Sequence, residues 1–345
     1  HSADAGHLKI LTHKGANIAV LETHHAGILC RGFAFDWCDI GICLNVTEDH
    51  LGDAHTDTVE KMARVKQALP ERARHAAVLF ADDPNCLAML DSITAQIICL
   101  VSMKHDVGEL QTLIGEKPAC FCVLENINAA EWIVVYDNGN RYPVTEVCSI
   151  PATFEGSARF NVSNAMHAAV ACHLSGIDIQ TVSEGLNSFS SSYDATPGRL
   201  NIFDDLPFRV IVDFAHNPDG MSKLAEFTDK QAVSGRKIVA FAGTANRADE
   251  TIKNLSRALA GHFDFYFCKE YIDAKQSNPR EVAPILQAAL IEAGVDNDRV
   301  RVTTNGKDVI FDIFDFCQPG DLLVMLMGHV EKHQLPGYIK EYAAR

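Results

Sequence analysis

Apolar and polar positions along this chain fall into two successive textures. From Asn17 to about Leu186, short β-rich runs alternate with stretches of helical period, as a parallel sheet with crossover helices requires. The pattern predicts strands at Ile18 to Thr23, Asp39 to Val46, Ala76 to Ala81 and Gln96 to Ser102. Between them Thr56 to Leu69, Pro84 to Ser92 and Asp106 to Ile114 read as helices. Cys120 to Ala152 differs, because Trp132-Ile-Val-Val-Tyr136 runs into Asp137-Asn138-Gly139-Asn140, a hairpin signal that predicts a small antiparallel excursion. Helical period returns in Asn161 to Leu174 and Gln180 to Phe189.

The run Ser190 to Gly198 is polar, turn-rich and aperiodic, which places a domain boundary there and gives domains 1–194 and 195–345. A second series follows, with strands at Arg209 to Phe214, Lys237 to Ala242, Phe263 to Cys268, Val300 to Thr303 and Asp321 to Met327. Its helices are Gly220 to Gln231, Ala248 to Ala260, Pro279 to Ala293, Lys307 to Phe316 and one around Gly337 to Ala344. The expectation is an α/β protein of two doubly wound domains.

Length agrees, since 345 residues exceed the size at which single cores usually stop growing. A 47% hydrophobic and 22% charged composition describes an ordinary folded chain rather than a disordered one. The formal net charge of −15 argues against a nucleic-acid binder, which would draw its affinity from Lys and Arg on phosphates. No stretch approaches the ~20 apolar residues of a membrane span, and no signal peptide opens the chain. Of 11 cysteines, Cys38, Cys43, Cys99, Cys122, Cys172 and Cys268 sit inside apolar runs and read as small hydrophobes, so the expected compartment is the cytoplasm with thiols reduced.

The candidate chemistry lies where apolar runs end. Val210-Ile-Val-Asp213-Phe-Ala-His216-Asn217-Pro218-Asp219-Gly220 ends a strand on an acid and an imidazole, then opens a helix. Thr196-Pro197-Gly198-Arg199 precedes it, so one region offers a cation and an anion, as a nucleotide site would. Leu44-Asn45-Val46-Thr47-Glu48-Asp49-His50 repeats the arrangement. Glu22 ends the run Ile18 to Leu21, and with the Asn45 to His50 loop it offers part of a shell for Mg²⁺, a hard cation that needs oxygen ligands from separate strands. Lys66 lies on the helix Thr56 to Leu69, Asn161 and Asn164 line the helix after Phe160, and Asn278-Pro279-Arg280 opens another helix, where Arg280 is able to grip a carboxylate.

Taken in order, these motifs resemble the Mur ligases, and within them the Mur-like carboxyl-terminal half of cyanophycin synthetases. Leu21-Glu22-Thr23, Asn45, Asp49-His50-Leu51-Gly52, Ala63-Arg64-Val65-Lys66 and Ala81-Asp82-Asp83-Pro84 look like that subfamily's central domain. Pro197-Gly198-Arg199-Leu200-Asn201, Val212-Asp213-Phe214-Ala215-His216-Asn217-Pro218 and Gly243 to Asp249 look like its Rossmann-like carboxyl-terminal domain.

The resemblance implies ATP-dependent amide bond formation through an acyl phosphate, with ATP and Mg²⁺ as cofactors. It implies that Glu22 and His50 hold Mg²⁺, and that Lys66 matches a lysine many members carbamylate to bind a second Mg²⁺. Asn164 would then face adenine, Arg199 the phosphates and Asp213 the ribose, with His216 and Asn217 beside them. Arg280, Asn278 and Arg247 become candidates for binding the incoming amino acid. In the cyanophycin subfamily that amino acid is basic, usually arginine, and is joined to an aspartate side-chain carboxylate. The implied partners are a small amino acid and a carboxylate acceptor such as an aspartate-rich peptide, with a homo-oligomer open.

Some positions differ from the subfamily's pattern. His24-His25-Ala26-Gly27 stands where it has Ala-Arg-Gly-Gly, and Ala245-Asn246-Arg247 where it has Gly-Asp-Arg. No GxxGxGK[ST] phosphate loop occurs in these residues, so the expectation is a piece of a longer protein or, alternatively, a ligase-like module that binds a nucleotide or peptide without catalysis. A muramyl peptide, a folate or a small metabolite remains open as acceptor.

Overall fold

The computed structural model describes residues 5–49, 56–244, 247–270, 281–304, 306–326, 328 and 331–345. The chain forms two compact units, His1–Phe189 and Ser190–Arg345. No helix among the described residues is long and apolar enough to cross a membrane.

The first unit runs α1 (Ala5–Leu11), α2 (His25–Arg31), β1 (Cys38–Cys43), α3 (Val59–Gln67), β2 (Ala73–Phe80), α4 (Pro84–Leu87), β3 (Ile97–Ser102) and α5 (Val107–Ile114). It continues with β4 (Ala119–Ile127), β5 (Ala130–Asp137), β6 (Asn140–Glu146), α6 (Arg159–Leu174) and α7 (Ile179–Ser188). Its six strands lie in sequence order, β1 to β4 parallel and β4, β5 and β6 antiparallel, so the excursion after Cys120 extends the main sheet. Strand side chains alternate between two cores. Ala76, Val78, Cys99 and Val101 pack with Val162, Met166 and Val170 of α6, whereas Ala77, Leu79, Ile98 and Leu100 pack with Met62, Cys86 and Leu110 of α3, α4 and α5.

The strand expected at Ile18 to Thr23 does not form: residues 18 to 24 carry no helix or strand, and Val20 is 93% exposed. Strand preference mostly expresses packing on a half-buried pleated surface, and this run has neither that surface nor a pairing partner among the described strands. Glu22 therefore does not end a strand; it is exposed, just ahead of α2.

The second unit runs β7 (Asn201–Phe203), β8 (Arg209–Asp213), α8 (Pro218–Asp229), β9 (Lys237–Ala242), α9 (Asp249–Leu259), β10 (Phe265–Lys269) and α10 (Ala283–Glu292). It ends with β11 (Val300–Thr303), α11 (Lys307–Phe316), β12 (Leu322–Leu326) and α12 (Glu331–Ala343). Strand order is β11-β10-β9-β12-β8-β7, parallel except for β7. The chain thus moves outward from β9 to β11, then returns to insert β12 between β8 and β9. Such a reversal makes a sheet doubly wound and opens a crevice at the carboxyl ends of its strands. The last helix starts earlier than its sequence suggests and passes through Pro336.

Candidate functional site

Each unit gathers polar groups at the carboxyl end of a buried parallel strand. In the first, β1 gives way at Cys43 to the segment Leu44–Asp49, which leaves the sheet with backbone groups that need partners. Asp83 supplies one: its Oδ2 accepts from Val46 N at 2.5 Å while its Oδ1 accepts from Asn85 N at 2.8 Å as the N-cap of α4. Asn85 Nδ2 donates to the Val46 carbonyl at 3.1 Å.

From the other side Lys66, in the last turn of α3, donates from Nζ to the Asn45 carbonyl at 3.0 Å. This half-buried lysine is therefore directed at the strand exit rather than solvated on the outer face of its helix. The neighbouring Asp82 is also committed, accepting from Ser102 Oγ and from Met103 N.

Glu22 stands open to solvent, and His50 lies outside the described residues. Among the described residues no three His, Cys, Asp or Glu side chains converge to hold a metal. Magnesium retains several waters and is bound through one or two carboxylates plus substrate phosphates. An open carboxylate such as Glu22 suits that donor set. Asp82 and Asp83 do not, since their oxygens are taken by the protein's own donors.

Asn164 is exposed on α6 and donates from Nδ2 to Asn161 Oδ1 at 3.3 Å, one turn earlier. Asn161 in turn donates to the Ala152 carbonyl at 2.7 Å. Asn161 thus anchors the start of the helix while Asn164 keeps an open amide edge.

In the second unit the loop before β7 is built around Asn201, which is 1% exposed. Its Oδ1 accepts from Gly198 N at 2.6 Å, and its Nδ2 donates to the carbonyls of Ser191 at 2.9 Å and Thr196 at 3.1 Å. Gly198 and Leu200 take positive φ angles of 74° and 51°, a left-handed path that costs a non-glycine residue such as Leu200 free energy. That path leaves Arg199 exposed, with its guanidinium 5.6 Å from the Phe214 ring centroid.

Asp213, the last residue of β8, accepts from Leu200 N at 2.9 Å through Oδ2 and from Ala215 N at 2.8 Å through Oδ1. Burial pushes its carboxyl pKa up, against the backbone donors of Leu200, Ala215 and Phe214 and the Arg199 charge, which pull it down. A carboxylate and a cation within electrostatic reach of it are thereby set at the end of β8.

Two further candidates make local hydrogen bonds. Asn217 is the N-cap of α8, its Oδ1 accepting from Gly220 N at 2.7 Å, and His216 bonds through Nδ1 to the Phe214 carbonyl at 2.8 Å. Arg247 lies just before α9, with its backbone N donating to the Thr244 carbonyl at 3.1 Å. Asn278 and Arg280 lie outside the described residues.

Sequence reasoning gave no role to Asp83, Asn201 or His167, although the first two stand inside motifs it singled out. The first carried a readable signal, since Asp followed by Pro is an N-cap pair. His167 carried none, as one polar residue on the apolar face of α6. It is 3% exposed, its Nδ1 lies 2.7 Å from the Ser163 carbonyl, and its Nε2 has no partner. Burial against Phe80 pushes its pKa down to about 4, despite the Ser163 bond and the Asp82 charge, which act upward.

Comparison with known proteins shows the family and the fold. Residues 6–172 match the Mur ligase middle domain, and residues 198–329 match the Mur ligase, glutamate ligase domain. The chain is 32% identical over 285 residues to a cyanophycin synthetase of Synechocystis sp., covering 82% of this chain and 32% of that protein. It is 25% identical to the UDP-N-acetylmuramoyl-L-alanyl-D-glutamate--L-lysine ligase of Staphylococcus aureus, covering 94% of this chain and 61% of that one. Among solved structures, E. coli FolC in complex with ADP shares the fold, with a TM-score of 0.60 at 16% identity over 88% of this chain and 62% of that one. The chain spans about a third of the length of the cyanophycin synthetases it matches.

Proposed function

The chain belongs to the Mur ligase family, and from that premise we propose that it serves an ATP-dependent acid to amino-acid ligase. A carboxylate oxygen attacks the γ-phosphorus of ATP and ADP leaves; an amine then attacks the acyl carbon, phosphate leaves, and an amide bond forms. The observation that carries this reading is the loop organised by Asn201, which holds Arg199 and Asp213 together at the carboxyl end of β8. A planar guanidinium suits phosphate oxygens, and a desolvated carboxylate suits ribose hydroxyls.

In this reading Asn164 meets the adenine edge, and Arg247, Asn278 and Arg280 receive the amino acid. Glu22 and His50 would hold Mg²⁺, and Lys66 stands at the exit of β1. Bound there, Mg²⁺ would neutralise phosphate charge as it develops. Lys66 fixes the Asn45 peptide and so the direction in which Leu44–Asp49 leaves the sheet.

We assign the substrates as a basic amino acid, arginine or lysine, and an aspartate side-chain carboxylate on a peptide, acting in the cytoplasm. The 32% identity to a cyanophycin synthetase supports that choice over a muramyl or folate acceptor. The test is phosphate release by the full-length gene product with ATP and Mg²⁺, across a panel of amino acids and with an aspartate-rich peptide as acceptor. Release that requires both arginine or lysine and the peptide is expected. Release indifferent to the amino acid, or none at all, refutes the assignment.

A further inference from the structure

The exit of β1 contains a pair of thiols that neither the ligase chemistry nor the folding core requires as thiols. Cys43 is the last residue of β1 and is 6% exposed; Cys86 lies on the short helix α4 and is fully enclosed. Their sulfurs stand 3.6 Å apart, and Cys86 Sγ also donates to the Cys43 carbonyl at 3.7 Å. A second thiol pair, Cys99 and Cys120, meets across β3 and β4 inside the sheet rather than at a strand exit.

The surroundings hold the pair in register. Asp83 and Asn85, which flank Cys86, clamp both sides of the Val46 peptide. Lys66 clamps the Asn45 carbonyl. Sulfurs 3.6 Å apart need to close by about 1.5 Å to reach the S–S bond length of about 2.05 Å.

We propose that Cys43 and Cys86 form a reversible disulfide, a modification site that pins α4 to the end of β1. The oxidant is a peroxide. The Cys43 sulfur attacks one peroxide oxygen, the O–O bond breaks, and a sulfenic acid and water result. Cys86 sulfur then attacks the sulfenic sulfur, the S–O bond breaks, and the thiol proton leaves with hydroxide as a second water. Two thiols lose two electrons and two protons, and one peroxide becomes two waters.

The order of events follows from the hydrogen bond. Donation from Cys86 holds the Cys43 thiol below the usual thiol pKa, against burial, while the same contact and burial raise Cys86. Cys43 is therefore the attacking sulfur and Cys86 the resolving one. The bond draws on the peptides that Asp83, Asn85 and Lys66 hold, so the oxidised form changes how Leu44–Asp49 leaves the sheet.

That modification stands apart from the ligase reading; only its effect on turnover rests on it. The folded full-length product is treated with hydrogen peroxide, its remaining thiols are alkylated after unfolding, and non-reducing peptide mapping locates the links. A Cys43–Cys86 peptide that disappears with dithiothreitol and is absent from Cys86→Ala is the expected result. The exposed Cys30 and Cys148 serve as internal controls for oxidant exposure.

Oxidised Cys30 and Cys148 together with alkylated Cys43 and Cys86 overturn the proposal. So does a link from either residue to another cysteine, or a Cys99–Cys120 link in its place. Phosphate release by the reduced product tests the ligase reading separately, because the peptide map is read without any turnover.

Discussion

Lowering the pH from about 7.5 to about 5 should destabilise the first unit through His167, and replacing His167 with leucine should remove that part of the loss. The Ser163 carbonyl only accepts, so His167 Nδ1 carries the ring proton and Nε2 is left as a bare lone pair in apolar packing. Protonating Nε2 puts a charge into a buried site against the Phe80 ring, and the Asp82 charge offsets that cost only in part. The folded pKa near 4 against 6.5 gives about 2.5 units, or about 3 kcal/mol between the limits.

The sign follows from which state binds the proton first. An unfolded histidine takes it up near pH 6.5 and the folded one only near 4, so stability is full above that window and falls as pH drops through it. At about pH 5 the loss amounts to about 2 kcal/mol. Trp37 and Trp132 are the only tryptophans and both lie in the first unit, so urea unfolding followed by their fluorescence reports on it. His167→Leu should unfold with a pH dependence shallower by that amount and keep its stability at about pH 7.5 within roughly 1 kcal/mol, since no donor or acceptor loses its only partner. Equal pH dependence in the two proteins would refute the argument.

Three further outcomes follow. Arg199→Ala should leave the fold intact, because the side chain is exposed, and lower phosphate release in the full-length product by about 3 kcal/mol of transition-state stabilisation, roughly a hundredfold; steady-state turnover with circular dichroism as control decides it. Asn201→Ala leaves the Gly198 N–H and two carbonyls without their buried partner, which should cost about 2 to 3 kcal/mol in thermal or urea unfolding of the second unit and weaken nucleotide binding together with it. Gly41→Ala would bring a methyl group 2.9 Å from the Leu69 carbonyl and the Pro70 Cα, so β1 or the turn before β2 must shift, at about 1 to 3 kcal/mol in urea unfolding. An unchanged midpoint would show that this crossing is looser than it looks.

Much of the architecture was legible in the chain. Lys237–Ala242, Val300–Thr303 and Lys307–Phe316 form at the bounds their apolar pattern marks, and Asn138-Gly139 makes the turn it signals between β5 and β6. Periodicity is a local property, and where a segment also finds its packing surface the local signal suffices. Val20 shows the converse: Ile18 to Thr23 has the composition of a strand and no strand beside it.

For the site, the sequence by itself determined which residue types stand near the strand ends: Asn45 after β1, Asp213 at the end of β8, Arg199 ahead of β7 and Lys66 near the close of its predicted helix. Tertiary structure alone decided what each does. Lys66 reaches Asn45 across 21 positions, Asp83 reaches Val46 across 37, and Cys86 reaches Cys43 across 43. Asn217 became a cap and Asn201 the centre of a loop. Hydrogen bonds and sulfur contacts act over about 3 to 4 Å in space, and only the folding of distant strands and helices into one sheet edge sets which side chains come that close.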